Sequence, residues 1–188
     1  DKSYKINSVE MKKTIITLLA LAFFLSFSNA QVFNTAQTLK PSTLAIGINP
    51  YYGNQFGSFF YGEYGLVSGM DLRMKIGLGN GSTYFGADIE WTMASPKPYL
   101  SITAGGHMQD DLGIDGTLNL TLPLGNTVHI YSGADMDINF GNDIEMPVWI
   151  PIGMEVSLPQ NFSLILEGDI GLLNNPPNIF NGGINFYF

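Results

Sequence analysis

The side chains best equipped for chemistry in this sequence are two histidines and a long set of carboxylates. An imidazole beside a carboxylate can take a proton from water or from a hydroxyl, the opening step of many hydrolyses. His107 lies near Asp110 in sequence, and His129 near Asp135. No Ser/His/Asp spacing of a hydrolase accompanies them, so the simpler reading is a pair of histidines in a polar network. Asp110-Asp111 and Asp143/Glu145 offer hard oxygen ligands to Ca²⁺, although solvated acidic loops have the same composition. The expectation is therefore no bound metal, no cofactor and no catalytic residue. Gly79-x-Gly81 and Gly182-Gly183 read as turn and strand glycines, because no helix follows that could present a phosphate loop. With no cysteine, thiolate metal sites, disulfides and a lipid-modified Cys are excluded.

The spacing of the carboxylates says more than their chemistry. From Thr43 the chain alternates apolar with polar or small residues, with turn signals every 10–14 residues. Met70, Leu72, Met74 and Ile76 alternate with Asp71, Arg73 and Lys75. Phe85, Ala87, Ile89 and Trp91 alternate with Asp88 and Glu90, and Leu118, Leu120 and Leu122 with Asn119 and Thr121. Period two is the signature of strands with two unlike faces. Nearly every charge within a strand falls on one face: Asp71, Arg73, Lys75, Asp88, Glu90, Asp115, Asp135, Asp137, Glu155, Glu167 and Asp169, with Glu63 beside them. His107 and His129 share that face. A water-soluble sandwich would turn the charged face outward. A transmembrane barrel would turn it into the lumen, because a charge facing lipid costs a few kcal/mol.

The start of the chain bears on that choice. Met11-Lys12-Lys13, an apolar stretch through Leu25 and the close Ser26-Phe27-Ser28-Asn29-Ala30 read as a secretory signal peptide cut after Ala30. The apolar run is short of the ~20 residues of a membrane-spanning helix. Residues 1–10 precede this start and read as upstream residues outside the fold. Hydrophobic residues make up 45% of the chain, yet beyond residue 30 no long apolar run remains. That distribution suits strands crossing a membrane, not helices. Four basic and fourteen acidic residues follow residue 30, which argues against nucleic-acid binding.

These observations predict an all-β fold: a transmembrane antiparallel up-and-down β-barrel of ten strands over residues 43–188. A short periplasmic segment, 31–42, precedes it. Turns at 67–69, 95–98, 123–126 and 159–161 fall on the periplasmic side. Segments 51–58, 79–82, 109–111, 139–147 and 173–178 face outward. Aromatic girdles are expected from Trp91, Tyr99, Phe162, Phe186 and Phe188 at one rim, and from Tyr51, Tyr52, Phe56, Phe140 and Trp149 at the other. Pro151, inside a strand, calls for a bulge or a position above the membrane. The region 59–66, with aromatics on both faces, leaves an eight-stranded alternative open.

The final stretch closes the argument. Phe180, Ile184, Phe186 and Phe188 alternate with Asn181, Gly183, Asn185 and Tyr187. Asn181-x-Gly183-x-x-Phe186-x-Phe188 resembles the C-terminal β-signal of outer-membrane barrels, and the chain as a whole resembles a small outer-membrane β-barrel protein of Gram-negative bacteria. The resemblance implies recognition of Asn181, Gly183, Phe186 and Phe188 by the barrel-assembly machinery. It also implies a lipid-bilayer environment and a porin-like, monomeric barrel. The expected role is structural, or passage of small solutes and cations through an acidic lumen. Alternatives are a hydrolase with a site at the rim and a surface-binding protein using its loops.

Overall fold

The computed structural model describes residues 35–79, 82–95, 97–174 and 176–188. The signal-peptide region, its cleavage site, residues 31–34 and the turn residues Asn80 and Gly81 lie outside the described residues.

Among the described residues eleven strands form one sheet: β1 (Leu44–Tyr52), β2 (Phe56–Val67), β3 (Met70–Gly79), β4 (Ser82–Ala94), β5 (Tyr99–Gln109), β6 (Asp111–Leu124), β7 (Val128–Phe140), β8 (Ile144–Glu145), β9 (Val148–Leu158), β10 (Phe162–Leu173) and β11 (Ile179–Tyr187). Each long strand pairs antiparallel with its neighbours in sequence, and β1 pairs with β11. The sheet therefore closes into a ten-stranded barrel. β8 is a two-residue extension that folds back on β7 through Phe140↔Ile144. The eight-stranded alternative falls, because residues 56–67 form a regular strand. Phe59 and Tyr61 point inward from it, while Phe60 and Tyr64 point out.

Connections at one end are tight. Gly69 and Gly125 adopt φ near +80° in the turns after β2 and β6. Gln160 and Asn161 are both left-handed in the three-residue connection between β9 and β10. This end also holds the start of β1 and the finish of β11, and is called the proximal end below.

The two faces separate by polarity in the inverse of a soluble protein. Met74 is 64% exposed, Leu118 47% and Ile152 51%, while Asn119, Asp71 and Glu167 are at most 1% exposed. Leu, Ile, Val, Met and Phe side chains cover the outside of every long strand. Water does not support so large an apolar surface; a bilayer does. The fold is that of a transmembrane barrel.

Pro151 departs from the expected bulge. Its ladder with β10 runs unbroken through Asp169↔Pro151. Its ladder with β7 skips from Ser132↔Ile152 to Asp135↔Trp149 at constant register. The missing N–H opens a gap without displacing the strand, and the Ser132 hydroxyl donates to the Pro151 carbonyl at 2.9 Å. Pro50 does the same on the closing seam, where pairing skips from Ile48↔Ile184 to Tyr51↔Asn181.

Candidate functional site

The polar face of every strand is turned into the lumen, and the lumen is filled in three tiers. The distal tier is aromatic. Tyr51, Phe59, Tyr84, Trp149 and Ile179 cluster there with Tyr61 beneath them, each at most 5% exposed. Tyr51 stacks on Phe59 at 5.0 Å, Phe59 meets Tyr84 edge-on at 5.4 Å, and Tyr84 stacks on His107 at 5.3 Å. Trp149 Nε1 donates to the Pro177 carbonyl at 3.1 Å. Tyr51 and Trp149 therefore belong to the interior and not to the outer girdle expected for them. Both share strand parity with lumen residues, Tyr51 with Asn49 and Trp149 with Gly153. Tyr52, Phe56, Phe140, Trp91, Phe186 and Phe188 are partly or well exposed on the barrel surface. Phe162 stacks against Phe186 at 6.1 Å. Tyr99 faces inward at the proximal end.

These large rings fit because glycines lie opposite them. Tyr51 lies over Gly57, Phe59 over Gly77, Tyr61 over Gly47, His107 over Gly113 and Tyr131 over Gly153. A side chain at any of these glycines would occupy the space of the ring, so the aromatic–glycine pairs fill the barrel by volume.

The middle tier is acidic. Lys75 pairs with Asp88 at 2.5 Å, both buried. The Thr117 hydroxyl donates to Asp135 at 2.5 Å. Asn181 Nδ2 donates to Glu167 at 3.0 Å and to Asp169 at 3.3 Å. His107 sits between Asp115 at 3.2 Å and Asn139 at 2.9 Å, and Asp137 is buried one strand position away.

The proximal tier is built around Arg73. Its guanidinium donates to Glu63 at 3.0 Å, stands 3.8 Å from Glu90 and lies over the Tyr61 ring at 5.7 Å. Ser101 donates to Glu90, and the Tyr61 hydroxyl to Asn185. Glu63, Asp71 and Glu90 bring carboxylate oxygens within 4.8 Å of one another. Arg73 supplies positive charge to two of them, so the trio forms an ion-pair cluster around the guanidinium. On the other side of this tier the Tyr187 hydroxyl donates to Glu155 at 2.6 Å, and His129 Nδ1 lies 4.0 Å from the same carboxylate.

Below this tier residues 35–42 cross the proximal mouth. Ala36 is fully buried, and its N–H donates to the Thr121 hydroxyl of β6 at 2.7 Å. Thr38 shares a hydrogen bond with Thr92 of β4 at 3.0 Å. Leu39 N–H donates to Asp71 of β3 at 3.0 Å. The Lys40 carbonyl packs against Gly65, and Ser42 N–H donates to the Gly65 carbonyl at 2.8 Å. This strap anchors on four strands across the opening and leaves clefts of about 460 and 320 Å³ on its two sides. The short periplasmic segment expected over 31–42 is, from residue 35, bonded into the barrel. It carries no periodicity, and its partners are single hydroxyls and one carboxylate on distant strands.

All the charged and histidine positions read as lumen-facing lie inside, but they do not converge. His107 lies at the distal edge of the middle tier and His129 in the proximal tier, each with its own carboxylate. Among the described residues no single rim site joins both histidines. Of the C-terminal positions, Asn181 is buried against Glu167 and Asp169. Gly183 makes room for the Asn49 amide. Phe186 and Phe188 face outward, and Phe188 exchanges backbone hydrogen bonds with Leu44. The tyrosine and asparagine contributions of Tyr61, Asn49 and Asn185 were not singled out by sequence, although strand parity with the carboxylates would have found them.

No protein-family model matches the chain, and no curated protein sequence matches it. Solved structures do. The KdgM porin is similar over 77% of this chain and 99% of its own, at 8% identity and a TM-score of 0.50. A de novo designed transmembrane β-barrel covers 81% of this chain and all of its own, at 16% identity and a TM-score of 0.46. The N-terminal β-barrel domain of OprF from Pseudomonas aeruginosa covers 80% and 100%, at 13% identity and 0.42. At 8% identity the likeness to the KdgM porin is one of fold. Closure by ten antiparallel strands, an apolar exterior and a polar interior agree with it: the chain has the fold of a small outer-membrane β-barrel.

Proposed function

We propose that this protein is a monomeric barrel of the bacterial outer membrane, delivered by cleavage after Ala30 and inserted with its proximal end in the periplasm. Its role is structural, with a lumen that is shut to solutes in the state described. The strap carries this reading. Residues 35–42 are bonded into β3, β4 and β6 across the one mouth that aromatic side chains do not already fill. The assembly machinery is the expected partner during insertion, through Asn181, Gly183, Phe186 and Phe188.

One observation favours a second reading, passage of small cations. Carboxylates outnumber Arg73 and Lys75 in the lumen several-fold, and acidic linings favour cations in channels. Passage through this barrel needs the strap to leave. Planar-bilayer recording tests both readings. The mature chain is expected to give no current above the bare membrane, and stepwise conductance from it would overturn the closed reading. A variant lacking residues 35–41 is expected to admit cations in preference to anions if the second reading holds, and to stay silent if the side chains alone seal the lumen.

A further inference from the structure

One row of side chains in the middle tier is left over after the ion pairs are assigned. Tyr131 of β7 is paired with Gly153 of β9, Gly153 with Glu167 of β10, and Glu167 with Asn181 of β11. The Tyr131 phenol lies flat over Gly153, which directs its hydroxyl along the row toward Glu167. Asp169 stands two residues further along β10 on the same face and shares the Asn181 amide with Glu167. All four side chains are 1% exposed. Tyr131 Oη, Glu167 Oε2, Asp169 Oδ1 and Asn181 Oδ1 have no hydrogen-bonding partner in the protein.

Several other lumen carboxylates have a cation, a histidine or a donor beside them, Asp71 accepting from Leu39 N–H and Asp135 from Thr117. Glu63 and Glu90 have Arg73, Asp88 has Lys75, Asp115 has His107, and Glu155 has Tyr187 and His129. Glu167 and Asp169 share one neutral amide. Two adjacent carboxylates out of water with no cation between them are strongly disfavoured, so a positive charge belongs at this place. The donors on offer are two carboxylates, an amide carbonyl and a phenol, all hard oxygens. Such a set suits a calcium-like ion, which accepts many oxygen ligands in irregular geometry. The charge of the two carboxylates matches one divalent ion.

We propose that Glu167 and Asp169, with Asn181 and Tyr131, hold a divalent hard cation inside the barrel wall formed by β7, β9, β10 and β11. The ion is enclosed as the barrel closes, and it ties the last two strands to the wall they must join. Whether the barrel conducts is a separate question, read by current and not by ion binding.

The test is folding of the EDTA-treated mature chain into detergent micelles with Ca²⁺, with Mg²⁺ or with Na⁺ alone. Ca²⁺ is expected to raise the urea midpoint of unfolding. Tb³⁺, used as a probe in place of Ca²⁺, is expected to luminesce through Tyr131. Asp169→Asn and Glu167→Gln are expected to abolish the Ca²⁺ shift while retaining the heat-dependent gel mobility of a folded barrel. Tyr131→Phe should keep the fold, weaken Ca²⁺ about ten-fold and dim the Tb³⁺ signal. A wild-type midpoint indifferent to both divalent ions would overturn the proposal. So would a shift that survives in the Asp169 and Glu167 variants, since that signal would come from exposed acids such as Asp110 and Asp143. An infrared band of a protonated carboxyl, lost in Asp169→Asn and insensitive to Ca²⁺, would show that the pair shares a proton instead, and would overturn it as well.

Discussion

At the scale of single residues the interior is a set of paired sizes and paired charges, and each pair predicts a double-substitution result. Gly183 is the clearest case of size. A Cβ there would collide with the Asn49 amide and crowd the Ile48 carbonyl at 2.6 Å. Gly183→Ala should cost about 1–3 kcal/mol in urea unfolding, the usual cost of overpacking. Adding Asn49→Ala should return most of the loss; no recovery in the double variant would mean the backbone, not Asn49, sets the requirement. Lys75 and Asp88 are the case of charge. Lys75→Met leaves Asp88 buried without its cation, a change worth about 3–5 kcal/mol. Lys75→Met with Asp88→Leu should lie close to the parent in the same unfolding measurement, because a buried pair is expensive to break and cheap to replace.

At the scale of elements the first and last strands decide whether a barrel forms at all. β1 and β11 bond along their length except at Pro50, and Phe188 adds two backbone bonds to Leu44 beyond the end of β11. Removing Phe188 deletes those bonds and an aromatic at the barrel rim. The expected result is a lower fraction of heat-modifiable, folded protein in the membrane; an unchanged fraction would deny the residue any part in assembly. The gaps at Pro50 and Pro151 show why a proline in a barrel strand does not force a bulge. Each faces its missing donor toward one neighbour only, and the opposite ladder holds the register.

At the scale of the molecule the apolar outside and polar inside determine where it can live. Leu118→Arg places a charge on the outer face of β6, and near the bilayer midplane this should cost about 2–4 kcal/mol. Refolding yield into lipid vesicles would report it, and a yield equal to the parent would place Leu118 away from hydrocarbon. The strand pattern, most turn positions and the shared face of nearly every charge within a strand were legible in the sequence, with an eight-stranded count left open, because period two and turn chemistry are local signals. The contents of the lumen were less so. Tyr51 and Trp149 looked like rim aromatics until parity placed them inside. The strap left no trace, because a segment held by Thr121, Thr92 and Asp71 has no periodicity to read. The separation of His107 from His129 likewise depends on tracing register around the barrel. The closed, inverted barrel itself can be tested most directly by cysteine accessibility, since the chain has no cysteine of its own. Single substitutions Leu118→Cys, Asn119→Cys and Leu120→Cys in the assembled protein would be treated with a charged, water-borne thiol reagent and with a lipid-soluble one. Positions 118 and 120 are expected to react only with the lipid-soluble reagent, and position 119 to resist both. Rapid reaction of position 119 with the charged reagent in the intact chain would contradict the closed lumen, and reaction of 118 and 120 with it would contradict the barrel's placement in a membrane.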